Sequence, residues 1–396
     1  MTAHLVGLDQ PGGPGFVEAL ARVWDRGDAV FPMDQRLPGP ARESLLAAMA
    51  PSSLIDQSGE EHARAGGRPV EDGDALVMAT SGSTGEPKGA VLTHDAVRAS
   101  AEATSRRLGV QPDDHWLACL PLNHVGGMAV VTRALHLGTG LTVLDRFDAT
   151  RVEDSGATLV SLVPAALGRV DAARFRVIVL GGSAPPADIP PNAVVTYGLT
   201  ETGSGVVYDG APLGGVDVRV ADDGEIHVRG PMLLRAYRDG RAALQGGWLA
   251  TGDLGRWLPD GRLHVDGRRG DLIVSGGENV WPEPVERALR ANPLVADVAV
   301  TGTPDEEWGQ VVTAYVVRRG PTVPTLAELR RAVKAMLPAY CAPRRLVMVD
   351  AIPRTLLGKL RRDALGAVPT AFSDGGASAG AGAPRRRPAE RPVGPE

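Results

Sequence analysis

The run at residues 80–89, TSGSTGEPKG, constrains this chain more than any other feature. It follows an apolar stretch, 75–79, that is typical of a buried strand. Its glycines and short hydroxyl side chains leave N–H and O–H donors free to surround a polyanion, and Lys88 adds a mobile positive charge. The candidate phosphate-binding residues are Thr80, Ser81, Gly82, Ser83, Thr84, Gly85 and Lys88.

The spacing differs from the G-x-x-x-x-G-K-[ST] motif of P-loop nucleotide-binding proteins. Lys88 follows Pro87 and precedes Gly89, so no helix begins directly on the lysine. We therefore predict a flexible phosphate-binding loop between a strand and a helix. A serine/glycine linker is the alternative, and a position between two such elements disfavours it.

Composition excludes several classes of protein. The 396 residues are too many for one compact core and indicate two domains. The net charge of −5, without a basic stripe in the folded region, argues against nucleic acid and anionic membranes as main partners. The first residues do not combine a basic start with an apolar core, so no secretory signal is expected, and no stretch approaches about 18 apolar residues. Cys119 and Cys341, expected to be small buried residues, fit a reducing cytoplasm.

Short β-rich runs alternate with helical patterns between residues 75 and 200. Strands are predicted at 75–79, 116–120, 141–144, 159–163, 177–180 and 194–196, with helices at 94–108 and 127–137. Near the front, a weaker strand–helix pattern covers 27–34 and 45–56. The alternation predicts an α/β fold in which helices cover mostly parallel sheets.

Two further regions and a tail follow. Residues 213–266 carry short strands at 216–220, 225–228 and 262–265, separated by Asp-Gly turns, and predict an antiparallel β-rich subdomain. A small α+β unit then has helices at 282–291 and 326–337 and strands near 298 and at 311–317. The predicted domains are 1–269, a mobile C-terminal lid at 270–366 and a disordered Gly/Ala/Pro/Arg tail at 367–396.

Four more motifs occur along the chain in a fixed order. They are YGLTETG at 197–203, TGD at 251–253, GRRGD at 267–271 and GK at 358–359. Together with the run at 80–89 they resemble the adenylate-forming superfamily of acyl-CoA synthetases, peptide-synthetase adenylation domains and luciferases. The resemblance covers residues 75–365. The front end is shorter than in full-size members, so outer layers of the N-terminal domain are expected to be absent.

The resemblance implies activation of a carboxylate. The acid attacks the α-phosphorus of ATP, pyrophosphate leaves, and coenzyme A then displaces AMP from the acyl-adenylate. Glu201 would bind Mg²⁺, which prefers carboxylate oxygens, and Thr200 would contact the α-phosphate. Tyr197 would stack on adenine, and Asp253 with Arg268 would hold the ribose.

The C-terminal motifs would serve both half-reactions. The ammonium of Lys359 would bring the carboxylate and the α-phosphate together. Gly276 and Gly277 would line the pantetheine channel, and the small domain would swing at 267–271. Gly270 stands where many members carry a charged hinge residue.

The acid pocket would draw on the loop at 120–128 and on residues after two strands. Its candidate residues are His124, Arg133, Gly181, Gly182, Ser183 and Gly203. His124 would orient the carboxylate, and a satisfied core histidine is an equal alternative. Arg133, nine residues later, is similar to the o-succinylbenzoate–CoA ligases of menaquinone biosynthesis, where an inward arginine suits a second carboxylate. A surface arginine remains the alternative.

The sequence therefore predicts a small AMP-forming acyl-CoA synthetase, acting on o-succinylbenzoate. Its partners would be a carboxylic acid and coenzyme A, and a homodimer is compatible with the chain. Three alternatives stay open. They are an adenylating enzyme for another aryl or acyl acid with a different acceptor, a non-catalytic nucleotide-binding protein, and an interaction module built on the arginine-containing tail.

Overall fold

The computed structural model describes residues 3–81, 87–354, 360–368 and 370–372. These residues form eight α-helices, which are α1 (Pro14–Asp25), α2 (Gly39–Met49), α3 (His94–Leu108), α4 (Val125–Leu137), α5 (Ala149–Glu153), α6 (Pro164–Leu167), α7 (Pro282–Arg290) and α8 (Leu326–Lys334). None of these helices is both long and apolar enough to cross a membrane.

The strands of the described residues fall into four sheets. In chain order they are β1 (Leu5–Leu8), β2 (Ala29–Pro32), β3 (Ser53–Ile55), β4 (Glu61–Ala63), β5 (Asp74–Ser81), β6 (Pro87–Thr93), β7 (His115–Ala118), β8 (Gly140–Val143), β9 (Leu159–Leu162), β10 (Val177–Leu180), β11 (Ala193–Gly198), β12 (Gly205–Tyr208), β13 (Ala211–Pro212), β14 (Asp217–Val220), β15 (Glu225–Arg229), β16 (Ala236–Tyr237), β17 (Leu249–Trp257), β18 (Leu263–Arg268), β19 (Ile273–Ser275), β20 (Glu278–Val280), β21 (Val295–Asp305), β22 (Gly309–Arg318), β23 (Arg345–Val349) and β24 (Thr370–Phe372).

Two seven-stranded sheets form the large N-terminal part. The first has the order β16-β6-β5-β2-β1-β3-β4, and the second has the order β13-β12-β11-β10-β9-β7-β8. The first has a parallel centre and antiparallel edges. The second is parallel from β11 to β8, and β12 and β13 are antiparallel at its other edge. The predicted α/β fold with helix-covered, mostly parallel sheets is confirmed.

Both ends of helix α3 are marked in the sequence by capping residues. The Thr93 hydroxyl accepts a hydrogen bond of 3.1 Å from the Ala96 N–H, and Gly109 closes the helix with a left-handed φ of 58°. The observed helix matches the predicted 94–108. Helix α2, in contrast, covers 39–49 rather than 45–56. Ala50 takes a left-handed φ of 46° ahead of Pro51, and the residues beyond form β3.

The predicted antiparallel subdomain is a four-stranded sheet in the order β14-β15-β17-β18. The small unit that follows packs α7 and α8 on a sheet built around β21 and β22. Its helices end at Arg290 and Lys334, one and three residues earlier than predicted.

The small unit has a hydrophobic cluster of its own, whose buried residues run from Ile273 to Met348. A separate cluster, running from Val6 to Leu263, fills the large part. This division supports a domain boundary at 269/270, which stays a prediction. The tail beyond Phe372 lies outside the described residues.

Candidate active site

The phosphate-binding run lies at the end of a β-hairpin. Thr80 on β5 pairs with Lys88 on β6, so two of the predicted phosphate contacts are neighbours. The expectation of a strand followed by a helix is wrong at this point, because a whole strand precedes α3. Ala90, Val91 and Leu92 of that strand are buried in the first sheet. The position of Lys88 is therefore set by its pairing with Thr80 between β5 and β6, and not by a helix.

Half of the run, residues 82–86, lies outside the described residues. This applies to Gly82, Ser83, Thr84 and Gly85, and the side chain of Ser81 is likewise not described. Their phosphate contacts stay predictions.

Glu201, the candidate metal ligand, meets the hairpin through a tyrosine. Thr200 and Glu201 lie on a 3₁₀ helix, Thr200–Thr202, just after β11. Glu201 Oε1 accepts a hydrogen bond of 3.0 Å from the Tyr237 hydroxyl, and the Lys88 ammonium lies 5.7 Å from the centre of the Tyr237 ring. The structure therefore brings Lys88 and Glu201 to one side chain that sequence reasoning missed.

Tyr237 carried no sequence signal that could have identified it. It lies on β16, a strand of two residues, which is too short to show any periodicity. Its position depends on pairing with β6, about 150 residues earlier in the chain, where Tyr237 is opposite Ala90.

The three residues predicted to hold adenosine meet on one carboxylate. Asp253 Oδ2 accepts a hydrogen bond of 2.8 Å from the Tyr197 hydroxyl, and Asp253 Oδ1 lies 2.8 Å from Arg268 Nε. Asp253 is buried, and it is opposite Arg268 in the β17–β18 pair. Burial, with a further contribution from Asp253, raises the pKa of Tyr197, so this hydroxyl stays protonated and can donate.

The predicted acid-binding residues lie beyond the carboxyl ends of the parallel strands in the second sheet. Gly181, Gly182 and Ser183 follow β10, and Gly203 ends the 3₁₀ helix that follows β11. His124 immediately precedes α4. Because carboxyl ends of parallel strands meet at one edge of a sheet, these loops are expected to lie along the same edge.

His124 is neutral over most of the pH range. Burial lowers its pKa to about 4, with a smaller opposing effect from Asp34. A neutral imidazole can accept or donate a hydrogen bond at the acid without adding charge.

This buried histidine predicts a loss of stability in acid. An unfolded histidine binds its proton near pH 6.5 and the folded one near pH 4, so the unfolded state gains protons first as the pH falls. The contribution is complete above pH 6.5 and is lost towards pH 4. Between pH 7 and 4.5, the wild type should lose about 2 kcal/mol more unfolding free energy than His124→Asn. Urea titrations at the two pH values test this, and parallel losses would contradict it.

Gly127, on the first turn of α4, lies very close to the backbone of Leu120 and Pro121, in the loop predicted to bind the acid. A Cβ on Gly127 would lie 2.5 Å from the carbonyl oxygens of both Leu120 and Pro121, whereas a Cβ on Gly126 would meet only a Leu120 methyl at 3.6 Å. The first contact forces the backbone to move, and the second is an ordinary packing distance.

We therefore expect Gly127→Ala to lower the unfolding free energy by about 1–3 kcal/mol and to raise KM for the acid. Gly126→Ala is the matched control, and its better helix propensity should leave stability unchanged or slightly higher. Denaturant midpoints and acid KM values for both variants provide the comparison. Equal changes in stability and KM for the two variants would mean that the close contact at Gly127 does not affect acid binding.

Arg133 is a fully buried cation rather than the surface arginine that was the alternative. It is 2% exposed, its Nη2 lies 3.2 Å from Ser204 Oγ, and its guanidinium lies 4.7 Å from the Trp116 ring centre. Its Nε and Nη1 have no hydrogen-bond partner within the described residues. Burial lowers the pKa of this guanidinium, but arginine remains charged at neutral pH. A buried positive charge with two unused donor atoms is suited to a negatively charged partner.

Comparison with known proteins connects this geometry to a family. The family model for AMP-binding enzymes matches residues 40–238, and the model for the C-terminal domain of AMP-binding enzymes matches residues 284–359. The chain belongs to the AMP-binding enzyme family. The predicted resemblance to adenylate-forming enzymes is thereby confirmed.

Individual relatives of this AMP-binding enzyme carry more specific names. A protein named "Probable 2-succinylbenzoate–CoA ligase" from Mycobacterium tuberculosis is 39% identical over 329 residues, which is 76% of this chain and 85% of that protein. The o-succinylbenzoate CoA synthetase of Bacillus subtilis, in complex with its acyl-adenylate intermediate, is 28% identical. It gives a TM-score of 0.83 over 93% of this chain and 89% of its own. In complex with ATP and magnesium ion, the same synthetase gives a TM-score of 0.81 over 92% and 90%.

In this AMP-binding enzyme, the residues on the two sides of Gly270 bind different parts of the chain. Before it, Arg268 binds Asp253 of the large part, and after it, Asp271 binds Arg362 of the small unit at 3.1 Å. A Cβ on Gly270 would meet nothing within 4 Å. These contacts support the proposed hinge.

Gly276 and Gly277 form the turn between β19 and β20, on the small unit. A Cβ on Gly276 would lie 2.4 Å from the Trp308 ring, so the chain and the ring touch directly. Lys359 lies outside the described residues, but the positions beside its segment are fixed. Leu360 pairs with Arg354, and Arg362 donates to Glu286 Oε1 at 2.7 Å.

Proposed function

We propose that this chain is an ATP-dependent 2-succinylbenzoate–CoA ligase that works through an acyl-adenylate and belongs to menaquinone biosynthesis. The named relatives support the reaction class. The observation that carries the choice of acid is Arg133, a buried cation with two unused donor atoms. 2-Succinylbenzoate has two carboxylates, one to be activated and one available to such a cation.

The nucleotide would lie between the β5–β6 hairpin and the residues predicted to bind adenosine. The loop from Thr80 to Lys88 would hold the phosphates, and Tyr197, Asp253 and Arg268 would hold adenine and ribose. Glu201 would be the protein ligand of Mg²⁺, with Thr200 at the α-phosphate. When bound there, the ion would neutralise part of the phosphate charge. The residues of the chain would hold the carboxylate of the acid in line with the α-phosphorus and the leaving pyrophosphate.

The acid would lie in the crevice formed by the loops after the parallel strands. Arg133 would bind the carboxylate that does not react, and neutral His124 would orient the one that attacks. Lys359 would offset negative charge as the two anions meet. Gly181, Gly182, Ser183 and Gly203 would form the backbone walls, where the lack of bulky side chains leaves room for an aromatic ring.

Thioester formation would follow a rotation of the small domain about Gly270. The turn at Gly276 and Gly277 would then face the large domain and admit the pantetheine arm of coenzyme A. Two adjacent glycines allow a thin chain to pass close to the backbone.

We also propose that the enzyme acts in the cytoplasm on small molecules. Cys119 and Cys341 are both buried and unpaired, which fits a reducing compartment. A homodimer stays a prediction.

ATP–pyrophosphate exchange across a panel of acids tests the proposal. The panel should include 2-succinylbenzoate, benzoate, succinate and an aryl acid of similar size. Selective exchange with 2-succinylbenzoate is the expected result. Exchange that is faster with another acid would keep the reaction class and overturn the choice of substrate.

A further inference from the structure

A single tyrosine contacts two oppositely charged groups of the proposed nucleotide site, Glu201 and Lys88. The Tyr237 hydroxyl donates to Glu201 Oε1 at 3.0 Å, and the Tyr237 ring lies 5.7 Å from the Lys88 ammonium. Within the described residues Glu201 and Lys88 form no ion pair with each other. Glu201 Oε2 receives no hydrogen bond from that part of the chain.

Direct pairing of these two groups would oppose nucleotide binding. A lysine and a glutamate facing one cleft attract each other, and any ion pair between them must break before either can bind a phosphate or a metal. Tyr237 gives each group another partner. The hydroxyl satisfies one carboxylate oxygen, and the ring face attracts the ammonium at a distance typical of cation–π contacts.

The strand that carries Tyr237 is fixed on both sides. Arg235 binds Asp74 through Nε at 2.9 Å and Nη2 at 2.8 Å, and reaches Glu71 at 2.5 Å. Arg238 donates to the carbonyl oxygens of Met49 at 3.0 Å and Pro69 at 2.6 Å, and also to those of Ala50 and Arg68. A strand of two residues would not hold a side chain in place alone, but Arg235, bound to the start of β5, and Arg238, bound to the end of α2 and the loop at 68–69, do so.

We propose that Tyr237 is a positioning residue that holds Glu201 and Lys88 apart, each aimed at magnesium-bound ATP. The inference rests on the proposed function and concerns the same site. One oxygen of Glu201 is held by the tyrosine, and the other is left for the metal. Lys88 remains beside the hairpin, where the phosphates would arrive.

Calorimetric titration with ATP, with magnesium or with EDTA and no acid present, tests this without catalysis. Tyr237→Phe removes the hydroxyl and keeps the ring. It should weaken binding of magnesium-bound ATP about tenfold and leave metal-free ATP within about twofold. Tyr237→Leu also removes the ring and frees Lys88 to pair with Glu201, so both forms of ATP should bind more weakly.

A double variant separates positioning from a general structural effect. Once Glu201→Gln has removed the metal ligand, adding Tyr237→Phe should cost nothing further for magnesium-bound ATP. Tyr315→Phe, a buried tyrosine change in the small unit, is the control and should bind like the wild type. Melting curves show whether each variant is folded.

The outcomes distinguish this inference from the proposed function. If wild-type protein binds magnesium-bound ATP and Tyr237→Phe binds it equally well, the inference is overturned alone. The same follows if Tyr237→Phe weakens ATP equally with and without magnesium. If the wild type does not bind ATP at all, the proposed function fails and takes the inference with it.

Discussion

Replacing Lys359 with alanine is expected to slow adenylate formation by about 10²–10³-fold and to leave thiolysis of a preformed acyl-adenylate nearly unchanged. The lysine would offset charge between the carboxylate and the α-phosphate, and a preorganised contact of this kind is worth about 3–4 kcal/mol in the transition state. In the proposed mechanism, the second half-reaction would use another face of the small domain. Burst measurements of adenylate, and thiolysis assays started from synthetic adenylate, separate the two steps.

Described residues on both sides of the segment that holds this lysine have defined partners. Leu360 is bridged to Arg354, and Arg362 binds both Asp271 and Glu286. Arg362 therefore connects this part of the small unit to the residue directly after Gly270. Lys334→Ala, an exposed lysine on α8, is the matched control and should leave both steps intact. Equal loss of both half-reactions in Lys359→Ala would contradict the assignment.

Replacing Arg133 with methionine is expected to abolish discrimination for a dicarboxylate while making the protein more stable. Removing the guanidinium should raise KM for 2-succinylbenzoate by about 100-fold or more, because the proposed pairing of a buried cation with the second carboxylate would be lost. An analogue without the second carboxylate should change by less than about threefold. The unfolding free energy should rise by about 1–3 kcal/mol, since a desolvated cation with two unused donors is replaced by an apolar side chain of similar volume.

Arg133→Lys is the control for charge alone. It keeps a buried cation but loses the planar guanidinium, so affinity for the dicarboxylate should stay low and stability should not rise. Initial-rate kinetics with both acids and urea titrations supply the measurements. Similar KM changes for the dicarboxylate and its analogue, or a large loss of stability in Arg133→Met, would show that the arginine has a structural role.

Local sequence rules predicted the parts of this site that lie on one element or directly after one strand. Helix α3 was found at its full length because a hydroxyl cap and a glycine mark its ends. The carboxyl-end loops carrying His124 and Gly181 follow from strand–helix alternation. Tyr197, Asp253 and Arg268 were predicted through the family motifs, and they meet at hydrogen-bond distance.

Contacts between distant strands explain what the sequence did not reveal. Lys88 lies on a strand, because the segment after the glycine-rich run pairs with β5 and β16 in the first sheet rather than starting a helix. Tyr237 owes its position to two arginines whose partners lie more than 150 residues away. The burial of Arg133 was left open for the same reason, since helical periodicity does not say what covers the other side of a helix.

Product analysis with 2-succinylbenzoate, ATP, magnesium and coenzyme A is the most direct test of the central claim. The account predicts 2-succinylbenzoyl-CoA and AMP in equal amounts, with pyrophosphate released and both products dependent on the acid. Formation of ADP and phosphate, or consumption of ATP without a CoA thioester, would contradict it.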